Sequence, residues 1–65
     1  MKAKEIRTMS SEERRKKLLE LRNELMEEYG RASMGGSPPS PGRIRYLRKT
    51  IARLLTIMRE EGDIG

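Results

Sequence analysis

Between Arg43 and Arg53 the chain carries Arg43, Arg45, Arg48, Lys49 and Arg53 and no acidic residue. Four of these five cations are Arg, whose planar guanidinium forks onto pairs of phosphate oxygens. On an ordinary solvated helix face, opposite charges pair four residues apart. Here Arg45, Lys49 and Arg53, each four apart, repel one another unless an outside anion neutralises them. The chemistry this row can do is the binding of a polyanion. A plain solvated face is the alternative. The stretches "KAKEIR" and "RRKK" add Lys2, Lys4, Arg7, Arg14 and Arg15 to the candidate positive surface.

Other chemistries are poorly supplied. The chain has no Cys and no His. That removes disulfides, thiolate metal sites and imidazole as base or ligand. Neighbouring carboxylates at Glu12–Glu13 and Glu27–Glu28 point about 100° apart on a helix, so neither pair shares a site. "GGSPP" lacks the Lys and Ser/Thr of a phosphate-binding loop. A chain with no means of enclosing a substrate is not expected to be an enzyme, and no cofactor or metal is implied.

The totals agree with a binding protein. Net charge is +5 and the pI is near 10.1. That balance favours nucleic acid first and an anionic membrane surface second. Sixty-five residues, 34% hydrophobic and 38% charged, are too few and too polar for a generous core. Such a chain suits long amphipathic helices or a segment ordered on a partner. The start "MKAKEIRTMSSEERRKK" has no apolar core of the kind a secretion signal needs. No run approaches the ~18 apolar residues of a membrane span. A cytoplasmic protein is expected.

The elements that must position the cations follow from spacing. "MKAKEIRTM" reads as a short opening turn or helix with Ala3, Ile6 and Met9 packing inward. Ser10 then fits an N-cap, with Glu13 placed to complete a capping box. Leu18, Leu21, Leu25 and Tyr29 fall on one helical face, with Leu19 and Met26 in a flanking row. Helix 1 is expected over about 10–29, capped by Gly30. Residues 30–40 hold Gly35, Gly36, Pro38 and Pro39 and read as a mobile loop, extended at its Pro-rich end. Ser40-Pro41 fits an N-cap followed by Pro at the first helical position. Helix 2 is expected over about 41–61, with Gly62 ending it and a frayed tail beyond. Its seam is Ile44, Leu47, Ile51, Leu54 and Met58, and Arg45, Arg48, Lys49, Arg53 and Arg59 lie mostly on the far side.

The fold class is therefore all-α: a single domain of two long helices in an antiparallel hairpin, seams facing, with a possible short N-terminal helical turn. Leu19, Met26, Leu55 and Ile57 lie off the main seams, and one opposite helix cannot cover them all. Some of them are expected to rest on another molecule. Three rivals stand beside nucleic-acid binding. A protein-interaction adaptor would use its charge only for solubility. A membrane-surface helix is disfavoured by a narrow stripe without Trp or Phe. A DNA-reading helix-turn-helix needs a turn of about 3–4 residues, much shorter than this loop.

The stretch "SPGRIRYLRKTIARLLT", residues 40–56, resembles the signature helix of the family of protein 29 of the large ribosomal subunit. The matching elements are Pro41, Arg43-Ile44-Arg45, Arg48-Lys49, Ile51-Ala52-Arg53 and Leu54. "KAKEIRTMSSEERRKKLLELRNELM" is similar to the family's opening, and the likeness covers nearly the whole chain. "GRIR" and "KTIARLLT" look more like archaeal than bacterial members. Ser40 stands where many members have Asn, and "SMGGSPPS" is longer and richer in Pro than in bacterial relatives. The resemblance implies a structural constituent of the large subunit that binds its ribosomal RNA beside the nascent-chain exit tunnel. Protein 23 of the same subunit would be its neighbour, with the signal recognition particle docking nearby.

Overall fold

The computed structural model describes the backbone of residues 1–33 and 40–64 and the side chains of residues 1–31 and 40–64. The middle of the expected loop, 34–39, lies outside the described residues, and so does the expectation of mobility there. The described chain forms three helices: α1 (Ala3–Thr8), α2 (Ser11–Ser33) and α3 (Pro41–Glu60).

Helix α1 is too short to persist alone, and packing holds it. Ile6 is fully buried, and Met1 and Ala3 pack against the same core. The Met9 amide closes the helix by donating to the Ile6 carbonyl at 3.2 Å.

Helix α2 begins where the Ser10 hydroxyl accepts from the Glu13 amide at 3.2 Å and donates to the Glu13 carboxylate at 3.2 Å. This satisfies one of the orphan donors of the first turn. Gly30 does not cap the helix. It lies inside α2, which continues to Ser33. A Gly cap needs a left-handed residue, and among the described residues only Gly62 has positive φ. An Arg31–Glu28 pair at 3.0 Å spans Gly30 and supports the extra turn.

Helix α3 opens as its sequence predicts. Ser40 is extended, its hydroxyl accepts from the Arg43 amide at 3.3 Å, and Pro41 occupies the first turn. The far end is ordered by a turn. Gly62 adopts φ 79°, the Asp63 amide donates to the Met58 carbonyl at 2.8 Å, and the Gly62 amide donates to Arg59 at 3.2 Å. These two bonds make a Schellman motif. They correct the expectation of a frayed tail, because Asp63 is turned back into the structure and Ile64 packs on the core.

Helices α2 and α3 run antiparallel, as Arg43–Glu24 at 2.8 Å near one end and Arg14–Asp63 at 2.7 Å at the other require. The core is Ile6, Leu21, Leu47, Leu54, Ile57 and Met58, with Leu18, Leu25 and Ile51 packed against it. Each fully buried aliphatic side chain contributes about 1.5–3 kcal/mol. Ile57 is buried within the chain rather than on another molecule. α1 lies along α3, so the core has three walls where the seam reading supplied two. Tyr29, read as a seam residue, is 47% exposed at the end of the seam. Leu19 and Met26 stay outside, 61% and 70% exposed.

Candidate nucleic-acid interface

Helix α3 carries six Lys and Arg against one Glu, whereas the six cations of α2 are matched by six Glu. The whole +5 excess of the chain therefore resides on α3. The core-facing residues Leu47, Leu54 and Met58 fix the rotation of this helix. At 100° per residue, Arg45, Arg48, Lys49 and Arg59 then point away from the core. All four are exposed, and none has a hydrogen-bond or ion-pair partner among the described residues. Pro41, Ile44, Arg45, Arg48 and Lys49 border an open concavity of about 440 Å³ without an acidic residue. A second, of about 220 Å³, is bordered by Met9, Glu13, Lys16, Lys17 and Glu20 and is balanced in charge.

Arg43 and Arg53 differ from the others of the row. Arg43 lies on the hairpin side and pairs with Glu24 at 2.8 Å while remaining 48% exposed. The anion missing from its own helix is supplied by α2. Arg53 donates to the Met1 carbonyl at 2.6 Å. This contact, together with Arg7–Glu60 at 2.9 Å, lays α1 along α3 in the same direction. Lys2, Lys4 and Arg7 are exposed, and Arg7 is engaged by Glu60. Arg15 is exposed and reaches the Asp63 carbonyl at 3.4 Å.

Arg14 does not belong to this surface. Its side chain is 7% exposed and fully engaged. Nε donates to the Ile6 carbonyl at 3.0 Å, one terminal nitrogen to the Arg7 carbonyl at 3.2 Å, and the other to the Asp63 carboxylate at 2.7 Å. A guanidinium with three internal acceptors and almost no contact with water is not available to a phosphate. The sequence holds a signal for this. Arg14 stands four residues before Leu18 and seven before Leu21, which places it on the buried seam. The cationic run "RRKK" masks that register.

The remaining described groups add no catalytic feature. Buried Thr50 has its hydroxyl donated to the Tyr46 carbonyl at 2.8 Å. Among the described residues no buried side-chain polar atom lacks a partner, no acidic cluster could hold a metal, and no helix is long and apolar enough to cross a membrane.

Fold and surface together define a small all-α protein with one cationic helix turned outward, the architecture that residues 40–56 led us to expect of a ribosomal protein. The sequence profile of the Ribosomal L29 protein family matches residues 4–60, and the chain belongs to that family, the family of protein 29 of the large ribosomal subunit. It is 54% identical over 61 residues to large ribosomal subunit protein uL29 of Thermoplasma volcanium, covering 94% of this chain and 92% of that one. The uL29 proteins of Halobacterium salinarum and Methanocaldococcus jannaschii are 53% and 49% identical over 94% of this chain, and 86% and 87% of their own lengths are covered. These relatives are archaeal, in keeping with the residues noted above. As a member of this family the protein is a structural constituent of the cytoplasmic ribosome, not an enzyme.

Proposed function

We propose that the protein binds the RNA of the large subunit through the outward face of α3, extended by the cations of α1. The observation that carries this reading is the set of exposed cations at Arg45, Arg48, Lys49 and Arg59, which have no partner among the described residues while every other charge on α3 is paired or bonded. Like charges held on one rigid helix are unfavourable until a polyanion neutralises them. From Arg43 to Arg53 the helix is about 16 Å long, a fixed comb suited to phosphates already positioned by folded RNA. The two tyrosines, Tyr29 and Tyr46, offer few platforms for stacking unpaired bases. Recognition by shape and phosphate follows.

The site on the subunit is the finer part of the proposal. Family membership supports a position beside the nascent-chain exit tunnel, next to protein 23, with the signal recognition particle docking nearby. The exposed Leu19 and Met26 on the outer face of α2 supply apolar area for a protein neighbour.

The test is a competition with Mg²⁺ at physiological salt. Folded large-subunit RNA should displace a labelled RNA fragment far better than an unstructured strand of equal length. Changing Arg45, Arg48 and Lys49 to Gln should lower the magnitude of the salt slope by about 0.7–0.9 per lost contact. Equal competition by the unstructured strand would reduce the protein to a non-specific polycation. An unchanged slope would remove α3 from the interface. Salt-independent binding to a protein would favour an adaptor.

A further inference from the structure

We propose that Arg14 and Asp63 form a latch through which the C-terminal turn sets the position of α1, and with it Lys2, Lys4 and Arg7, on the cationic surface. The functional half of this rests on the RNA reading above; the structural half does not. Arg14 joins three segments. It stands on α2, caps the last carbonyls of α1 at Ile6 and Arg7, and pairs with Asp63 beyond α3. Both partners are nearly out of water, at 7% and 6% exposure. Asp63 reaches Arg14 because the left-handed Gly62 and the Asp63-to-Met58 bond reverse the chain there. Helix α1 is otherwise held by the packing of Met1, Ala3 and Ile6 on the core, and Arg14 makes its buried side-chain hydrogen bonds among the described residues. The helix is six residues long, its N-cap residue Lys2 makes no side-chain cap, and its other polar contacts to α3 are at the surface.

A positioning role separates from a purely electrostatic one by its sign. Asp63→Asn removes an anion and raises the net charge, which by itself strengthens binding to RNA. If the latch positions the α1 cations, the same change weakens binding.

Two measurements on the full chain decide the matter. Amide hydrogen exchange in the free protein compares the parent with Asp63→Asn, Arg14→Lys and Arg7→Gln. Exchange at Ile6 and Met9 should accelerate by about tenfold or more in Asp63→Asn, a loss of about 1.4 kcal/mol in opening free energy. Leu54 should keep its protection. Arg14→Lys, which keeps the charge but cannot fork to three acceptors, should act in the same direction, and Arg7→Gln should leave α1 protected. Parent-like protection of α1 in Asp63→Asn would overturn the latch. So would an equal loss at Leu54, including complete unfolding, because the pair would then be a general part of the core.

The second measurement is RNA affinity for Asp63→Asn, alone and combined with Lys2→Gln, Lys4→Gln and Arg7→Gln. Weakening that appears in the parent background and vanishes in the combined one supports positioning. Weakening of equal size in both overturns it. A triple Gln variant that binds RNA as the parent does would overturn the role of α1 in binding, and exchange at Ile6 and Met9 would still decide the structural half.

Discussion

Helices α2 and α3 have 23 and 20 residues and six cations each, pack on each other, and differ in what they present to the outside. On α2 every cation has a matching Glu somewhere on the same helix, and its outer face mixes charge with the exposed Leu19 and Met26. On α3 a single Glu stands at the end, and the outer face is cationic. The count of cations is therefore uninformative by itself. What separates the helices is the number of anions within reach and the rotation that the core imposes. Arg14 and Arg15 show the second factor within one dipeptide. One is buried in a three-way contact, and its neighbour, about 100° away, is exposed.

The largest expected effect tests the rotation. Leu54 is fully buried in the core to which all three helices contribute. Leu54→Ala should cost about 2–5 kcal/mol. In a domain this small such a loss can leave the free protein largely unfolded, as circular dichroism would show. Leu19→Ala on the outer face of α2 should stay within about 0.5 kcal/mol. Ile51 and Leu25, seam residues by spacing, are only partly buried, so their truncation should cost less than that of Leu54. Equal melts for Leu54→Ala and Leu19→Ala would show that the α2–α3 packing is misassigned.

The difference in charge is tested by matched triplets. Arg45, Arg48 and Lys49 changed to Gln on α3 should reduce RNA affinity and flatten the salt dependence, by about 2–3 units of slope if all three touch phosphate. Lys16, Lys17 and Arg22 changed to Gln on α2 remove the same charge from the other helix. Long-range attraction falls equally in both variants, so any excess loss in the first measures direct contact. Indistinguishable slopes would erase the functional distinction between the helices.

How much of this was legible in the sequence depends on the range of the interaction. The caps at Ser10 and Ser40 act within three residues, and the spacing reveals them. The seam Leu47, Leu54 and Met58 is periodic, and it too is readable. Ile57 is not, because it lies off the two-helix seam, and its burial belongs to a core that includes Ile6 of α1. Gly30 invited the wrong stop. Glycine tolerates a helix interior at a cost of about 1 kcal/mol, and nothing local forces the chain to turn there. The partners of Arg14 and Arg43 were the least legible. Asp63 and Glu24 lie 49 and 19 residues away, and only the folded hairpin brings them together. Of the candidate interface, the cationic face of α3 follows from the sequence, whereas the exclusion of Arg14 is signalled only by its register with Leu18 and Leu21, which the run of cations masks.

Gly62 gives an intermediate effect and probes the end where the two helices are tied. A side chain in the left-handed region costs about 1–2 kcal/mol, so Gly62→Ala should lower the melting temperature by about 4–8 °C for each kcal/mol lost. The added methyl group meets nothing within 4 Å among the described residues, so backbone strain is the cause rather than a clash. Gly30→Ala is the control. It too meets nothing within 4 Å but lies in regular helix, and it should stabilise by about 0.5–1 kcal/mol. If both variants shift the melt in the same direction, the turn at Gly62 is not formed as described.

The smallest effect concerns the pair in which α2 lends an anion to α3. Glu24 pairs with Arg43 at 2.8 Å, with side chains 42% and 48% exposed. An exposed pair of this kind contributes about 0–1 kcal/mol, so Glu24→Gln should barely move the melt. Its effect on RNA binding should have the opposite sign to that of most charge removals. Removing the carboxylate releases Arg43 from its internal partner and deletes a negative charge beside the cationic helix. Affinity should rise slightly, and the salt slope should steepen by up to about one unit if the freed guanidinium finds a phosphate. Arg43→Gln should have the same small effect on stability and should not raise affinity. Titrations of the two variants at several salt concentrations check this directly. A rise in both would mean that Arg43 faces away from the RNA, and the interface would then begin at Arg45.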